Sequence, residues 1–204
     1  MSTNARAHLI LYNSLMNICT QLPEKLLERW ELLYGKEKLP EILNTFSVKK
    51  FPSFRINSIK GSTASLSMLK KYGFSFEHVR WYKDAFILTN KSIRELTETT
   101  VYKNGEVYIQ NLSSMIPALV LAPQQDEKIL DLAAAPGSKT TQIASLMYNT
   151  GEITANDLSR QRLYKLRHNL QQAGVTNTKI LNYPGESFWK STVQKDGPNR
   201  YRKE

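Results

Sequence analysis

A chain of 204 residues with 41% hydrophobic side chains and a formal charge of +10 is long enough for one full domain and a smaller one, each with an ordinary core. It has no apolar run near the roughly 18 residues of a membrane span, and its opening "MSTNARAHLILYNSLMNICTQ" lacks the apolar stretch and cleavage site of a secretory signal. With a lone cysteine, Cys19, no internal disulfide can form, so a reducing intracellular setting is expected, with cytoplasm, nucleolus and mitochondrion indistinguishable.

The basic excess is spread along the chain: fifteen Lys and Arg stand against nine Asp and Glu over residues 1–100, and thirteen against nine over residues 101–204. It suits a polyanionic partner such as nucleic acid, or simply a basic solvated surface. The chain reads as three zones, with neither internal repeats nor low-complexity segments. Residues 1–50 read as a helical segment. In "LPEKLLERWELLYG", Pro23 sits where a first helical turn tolerates it, Leu26, Leu27, Trp30 and Leu33 recur at helical spacing, and Gly35 is a stop. Cys19, near Leu15 and Ile18, reads as a packed apolar residue rather than a nucleophile.

Residues 51–104 read as a small α+β module. "FRINSI" has the look of a strand, "STASLSMLKKYG" of a helix capped by Ser62 or Thr63 and ended by Gly73, and "FEHVRWY" and "FILT" of two more strands. Lys60, Lys70, Lys71, Arg80 and Lys83, beside Trp81 and Tyr82, mix charge with aromatic faces as binders of single-stranded RNA do. A solvated basic face over core aromatics is the alternative.

Residues 105–204 read as the first half of a doubly wound parallel sheet. "VYIQNLSSMIPALVLAP" offers a strand and then a helix from about Ser113. The strand Lys128–Leu132 leads through a loop, Ala133–Ser138, into a helix from Lys139 to Met147. "GEITAND" is the next strand, "SRQRLYKLRHNLQQAG" the next helix with Leu163, Leu166 and Leu170 as its apolar stripe, and "TKILNY" a third strand. Such a half-sheet would leave its third or first strand with an unpaired edge, which a second chain or the remaining half of the sheet would complete.

This order places "LAAAPGSKT" at the carboxyl end of the first strand, where open parallel sheets bind ligands. The small residues Ala133, Ala134 and Ala135 permit close approach to the backbone, Gly137 relieves the turn, and a helix N-terminus offers amides to an anionic group. A phosphate loop would need glycine six and one positions before Lys139, where Ala133 and Ser138 stand. The dinucleotide fingerprint needs three glycines and finds only Gly137. Asp157, ending the second strand, could accept hydrogen bonds from both hydroxyls of a ribose, or could merely cap the following helix.

"GEVYIQNLSSMIPALVLAP", "ILDLAAAPGSKTTQIA" and "ITANDLSRQRLYKLRHNLQQAGVTN" closely resemble the Sun/RsmB-type family of S-adenosylmethionine-dependent RNA cytosine-5 methyltransferases. The resemblance runs over about residues 52 to 190, and its A-A-P-G-x-K-T loop is specific to the family. It implies an α/β, Rossmann-like methyltransferase fold with rRNA or tRNA as substrate and no metal ion. It also implies that the methionine end of S-adenosylmethionine is held by Ala133, Ala134, Ala135, Pro136, Gly137, Ser138 and Lys139, with Asp157 on the ribose and Arg162 nearby. The α+β module resembles the small domain that precedes the catalytic fold and helps hold RNA.

Three departures stand out. Ser138 replaces a second glycine, which an exposed loop should tolerate. Pro184 replaces an aspartate near the adenine, for which Glu186 would have to substitute. The fourth strand with its Pro-Cys motif, and the later Thr-Cys motif, are absent. Because C5 of cytosine becomes nucleophilic only after a thiolate adds to C6, residues 1–204 alone are expected not to methylate. A non-catalytic RNA-binding or scaffold protein that keeps the fold is the alternative.

Overall fold

In the computed structural model, which describes residues 22–47, 50–188 and 202–203, helix α1 (Glu24–Tyr34) starts after Pro23 and stops at Gly35. Helix α2 (Leu39–Ser47) comes next. Its Phe46 ring lies 5.8 Å from that of Trp30, and Leu43 is the buried residue here. Of the expected apolar stripe, Leu26, Leu27 and Trp30 are half-buried, but Leu33 is 61% exposed. Cys19, Leu15 and Ile18 lie outside the described residues. The chain divides into two compact units between Lys50 and Phe51.

The second unit begins with an antiparallel sheet of β1 (Ser53–Ile56), β2 (Phe76–His78), β3 (Ala85–Leu88) and β4 (Val107–Ile109), in the order β2-β3-β1-β4. Helix α3 (Thr63–Lys71) is started by Ser62, whose side chain accepts from the Ala64 amide. Helix α4 (Ile93–Glu98) is started by Ser92 and Glu95 in a reciprocal capping box, and α5 (Thr100–Lys103) continues at once. One face of the sheet buries Phe54 and Ile56 with Leu69, Phe86, Leu96, Val101 and Val107. Alternation turns Arg55 to the opposite face, and it too is fully buried.

Two expectations are corrected here. The strand Val107–Ile109, expected within the zone 105–204, belongs to the antiparallel sheet instead: it pairs with β1, matching Phe54 to Ile109. "FEHVRWY" is strand only to His78, so Trp81 and Tyr82 lie in the turn before β3. That turn is anchored because Val79, Tyr82 and Ala85 pack on Met115 of the next helix.

Helix α6 (Leu112–Leu121) leads to β5 (Lys128–Asp131), α7 (Ser138–Leu146), β6 (Glu152–Asn156), α8 (Arg160–Ala173) and β7 (Thr178–Leu181). The strands pair in parallel in the order β7-β6-β5, with a short strand β8 (Arg202–Lys203) parallel to β5 on its other side. Of the two strands expected to offer an unpaired edge, the third, β7, lies at the edge of the sheet, while the first, β5, is flanked by β8. Ile129, Ile153 and Ile143 pack with Ala118 of α6, while Ala155 packs with Leu163, Leu166 and Leu170 of α8. Successive β-α-β crossovers in one direction give the Rossmann-like arrangement, with the carboxyl ends of β5 and β6 side by side. No helix among the described residues is long and apolar enough to cross a membrane.

Candidate cofactor-binding site

The loop after β5 is held by its neighbours almost atom by atom. The Ala134 amide donates to the Asn156 carbonyl at 2.9 Å. The Ala135 amide donates to Asp157 Oδ2 at 3.1 Å, and Arg162 Nη1 lies 3.2 Å from the same oxygen. Arg162 Nη2 donates to the Ala135 carbonyl, and Asn169 Nδ2 to the Pro136 carbonyl at 2.8 Å. The Ala135–Pro136 peptide is cis. Gly137 has φ +107°, a backbone that favours glycine, and a Cβ there would lie 2.8 Å from Leu166 Cδ1, so the leucine side chain would have to shift. Helix α7 then starts at Ser138 rather than Lys139, and no side chain caps it. Its first amides are left for solvent or a ligand.

Two buried carboxylates flank the loop. Asp131 accepts from the Thr140 hydroxyl at 2.7 Å; burial pushes its pKa above the usual carboxylate range, against the lowering effect of Thr140, Lys139 and the Ala133 amide. Asp157 also accepts from the Ser159 amide through Oδ1 at 2.9 Å. The cap of α8 is Ser159, whose side chain accepts from the Arg162 amide, so the capping role considered for Asp157 belongs to its neighbour.

The residues singled out from the sequence thus lie together, but not all for the expected reason. Ala133 and Pro136 are exposed, whereas Ala134 and Ala135 are buried and are small because they pack against Leu163, Leu166 and Leu170. Ser138 and Lys139 are half-buried in the first turn of α7. Pro184 is exposed, as is Glu186 in the short turn Gly185–Ser187. Sequence reading missed Asp131, Asn156 and Asn169. A carboxylate ending the apolar run "ILD" was the available signal for the first; the other two act through partners distant in sequence. Among the basic residues, Lys60 donates to the Gln172 carbonyl at 2.9 Å, so it braces α8. Lys70 lies over the Phe76 ring at 5.6 Å, Arg80 and Trp81 are exposed, and Tyr82 is buried.

The chain is similar to known RNA methyltransferases. A family model described as 16S rRNA methyltransferase RsmB/F matches residues 118–196, and one for the N-terminal domain of 16S rRNA methyltransferase RsmF matches residues 22–112. A 28S rRNA (cytosine-C(5))-methyltransferase of Mus musculus is 37% identical over 165 residues, 80% of this chain and 21% of the relative. A tRNA (cytosine(49)-C(5))-methyltransferase of Pyrococcus abyssi is 39% identical over 171 residues, 82% of this chain and 53% of the relative. Among solved structures, a methyltransferase homologue from Pyrococcus horikoshii superimposes with a TM-score of 0.75 at 32% identity, covering 93% of this chain and 59% of that one. The chain spans 21% to 53% of the length of these two curated relatives.

Proposed function

Because the chain belongs to the Sun/RsmB-type family of RNA cytosine-5 methyltransferases, we propose that it binds S-adenosylmethionine on the loop Ala133–Lys139 with Asp157 and Arg162, in a protein that methylates C5 of cytosine in rRNA or tRNA. The observation that carries this reading is the loop that joins the carboxyl end of β5 to the uncapped start of α7, whose Ala135 amide is bound by the buried carboxylate of Asp157 just past β6. The residues fit the cofactor: amides suit the carboxylate of its methionine end, and an acidic side chain suits its ribose. When bound, the group supplies an electrophilic methyl. The chain's part is to hold the cofactor and to present basic and aromatic side chains to RNA.

Carbon methylation of cytosine also needs a thiolate against C6, and the sole cysteine is Cys19. Residues 1–204 are therefore expected to retain tritiated S-adenosylmethionine on a filter while transferring no label to RNA, with Cys19→Ala changing neither result. Transfer that disappears with Cys19→Ala would contradict the assignment of roles. Pro184, where the resemblance to the family implies an aspartate near the adenine, favours a second reading, an RNA-binding protein without the chemistry. RNA binding with no cofactor retention would support it.

RNA affinity should fall with salt, at a log–log slope of about −0.7 per neutralised phosphate on single strands. Lys70→Glu with Lys71→Glu should weaken binding and flatten that slope. An unchanged slope would return these lysines to the solvated face.

A further inference from the structure

Two side chains of the antiparallel sheet reach the supports of the cofactor loop. Arg55, on β1, is fully buried. Its Nε donates to Gln110 Oε1 at 2.9 Å and its Nη2 to Thr141 Oγ1 at 2.8 Å. The Thr141 hydroxyl then directs its one proton at the Gly137 carbonyl at 2.7 Å, with the Ser138 carbonyl at 3.1 Å as a second acceptor, and the Thr141 amide donates to the same Gly137 carbonyl at 2.9 Å. Tyr108, on β4, lies beneath the guanidinium with its ring centroid 5.0 Å away. Asn169 Nδ2 reaches the Tyr108 hydroxyl at 3.3 Å and the Pro136 carbonyl at 2.8 Å. Consecutive loop carbonyls, Pro136 and Gly137, are thus each one side chain away from the antiparallel sheet.

The energetics of Arg55 argue against a purely stabilising role. Its Nη1 has no hydrogen-bond partner, no acidic side chain forms a salt bridge with it among the described residues, and burial lowers its pKa from the usual value. A buried cation held by two hydrogen bonds and an aromatic ring, and favoured by the nearby Asp84, but with no ion pair, is less favourable than an apolar side chain of similar size. What an apolar side chain could not do is orient the Thr141 hydroxyl. Gln110, which receives Arg55, is itself fixed, donating to the Ser114 carbonyl and to Gln142 Oε1, each at 2.9 Å. The relay is rigid at its origin.

We infer that Arg55 and Tyr108 are positioning residues: through Thr141 and Asn169 they set the Pro136 and Gly137 carbonyls, and with them the direction of the amides that face the ligand. The small sheet would then govern cofactor affinity as well as RNA contact. This rests on the reading of the loop as a cofactor site, and the test separates the two.

Hydrogen exchange of the unliganded chain is followed for Thr141→Val, which keeps the shape and removes the hydroxyl, and for Thr141→Ser, which restores it. In Thr141→Val, amides of residues 133–139 should exchange about tenfold faster while those of β1 and β3 stay unchanged. Affinity for S-adenosylhomocysteine should fall roughly five- to twentyfold, and Thr141→Ser should restore both. Tyr108→Phe should give a smaller effect of the same kind. Arg55→Met combined with Thr141→Val should add little to either alone, since the two act in one chain of contacts; if Arg55→Met does not fold, the Thr141 pair still decides. Loop exchange in Thr141→Val equal to wild type would overturn the inference. The expected exchange pattern in a chain that binds no S-adenosylhomocysteine would keep the positioning role and remove the cofactor assignment instead.

Discussion

Gly105→Ala is expected to destabilise the second unit by about 3 kcal/mol, the range in which backbone strain and steric conflict combine. Gly105 has φ +75°, and a Cβ there would fall on the Gln172 carbonyl oxygen and lie 2.7 Å from its carbon. That obstacle is helix backbone and cannot rotate away. The contact is also where Asn57 ties the molecule together, its Nδ2 donating to the Gly105 carbonyl at 2.8 Å and to the Ala173 carbonyl at 2.7 Å. Pushing α8 outward there would loosen Asn169 on the Pro136 carbonyl, so cofactor affinity should fall together with stability. Urea unfolding measures the first effect. Gly185→Ala, with open space around its Cβ, serves as control and should stay within about 0.5 kcal/mol of wild type.

Asp157→Ala should weaken S-adenosylhomocysteine binding by about 1.5–3 kcal/mol, roughly tenfold to a hundredfold, the range for hydrogen bonds to a charged acceptor. A carboxylate offers about four acceptor positions. Here the Ser159 amide, the Ala135 amide and Arg162 use three of them. A ribose presenting two hydroxyls therefore needs one of these donors to leave, and Arg162, 53% exposed along its side chain where the other two are backbone amides, is the one that can swing out, giving up its bond to the Ala135 carbonyl as well. Arg162→Ala should accordingly change affinity by less than about threefold, a small fraction of the Asp157 effect. Calorimetry measures both, and a thermal melt of each variant separates lost ligand contacts from a loosened loop. Equal binding by wild type and Asp157→Ala would remove Asp157 from the site.

The strand-helix alternation from Lys128 to Leu181 was legible because its signals are local: an apolar run, small residues, a glycine, then Leu163, Leu166 and Leu170 at helical spacing. Ser62 as a cap was legible for the same reason. What escaped depends on partners far along the chain. The three residues of β4 carry no mark of which sheet they will join, and they join β1. Alternation turns Arg55 away from the Phe54 core, which usually means solvent; Thr141 and Gln110 cover it instead. Lys60 looked like a surface cation because its acceptor, the Gln172 carbonyl, is 112 residues away. Asp157 and Ser159 were both plausible caps for α8, and only the geometry assigns the cap to Ser159. Leu33 fits the helical spacing of α1 and is nonetheless 61% exposed.

The most direct measurement is backbone-amide NMR of residues 1–204 titrated with S-adenosylhomocysteine. Shift changes should concentrate on Ala133 to Lys139, where Pro136 has no amide, and on Asp157 to Ser159, and should be absent from β2, β3 and α3. Saturable shifts confined instead to the cavity lined by Tyr102, Val107, Gln172 and Ala173, or no shifts at millimolar ligand, would contradict a cofactor site on this loop.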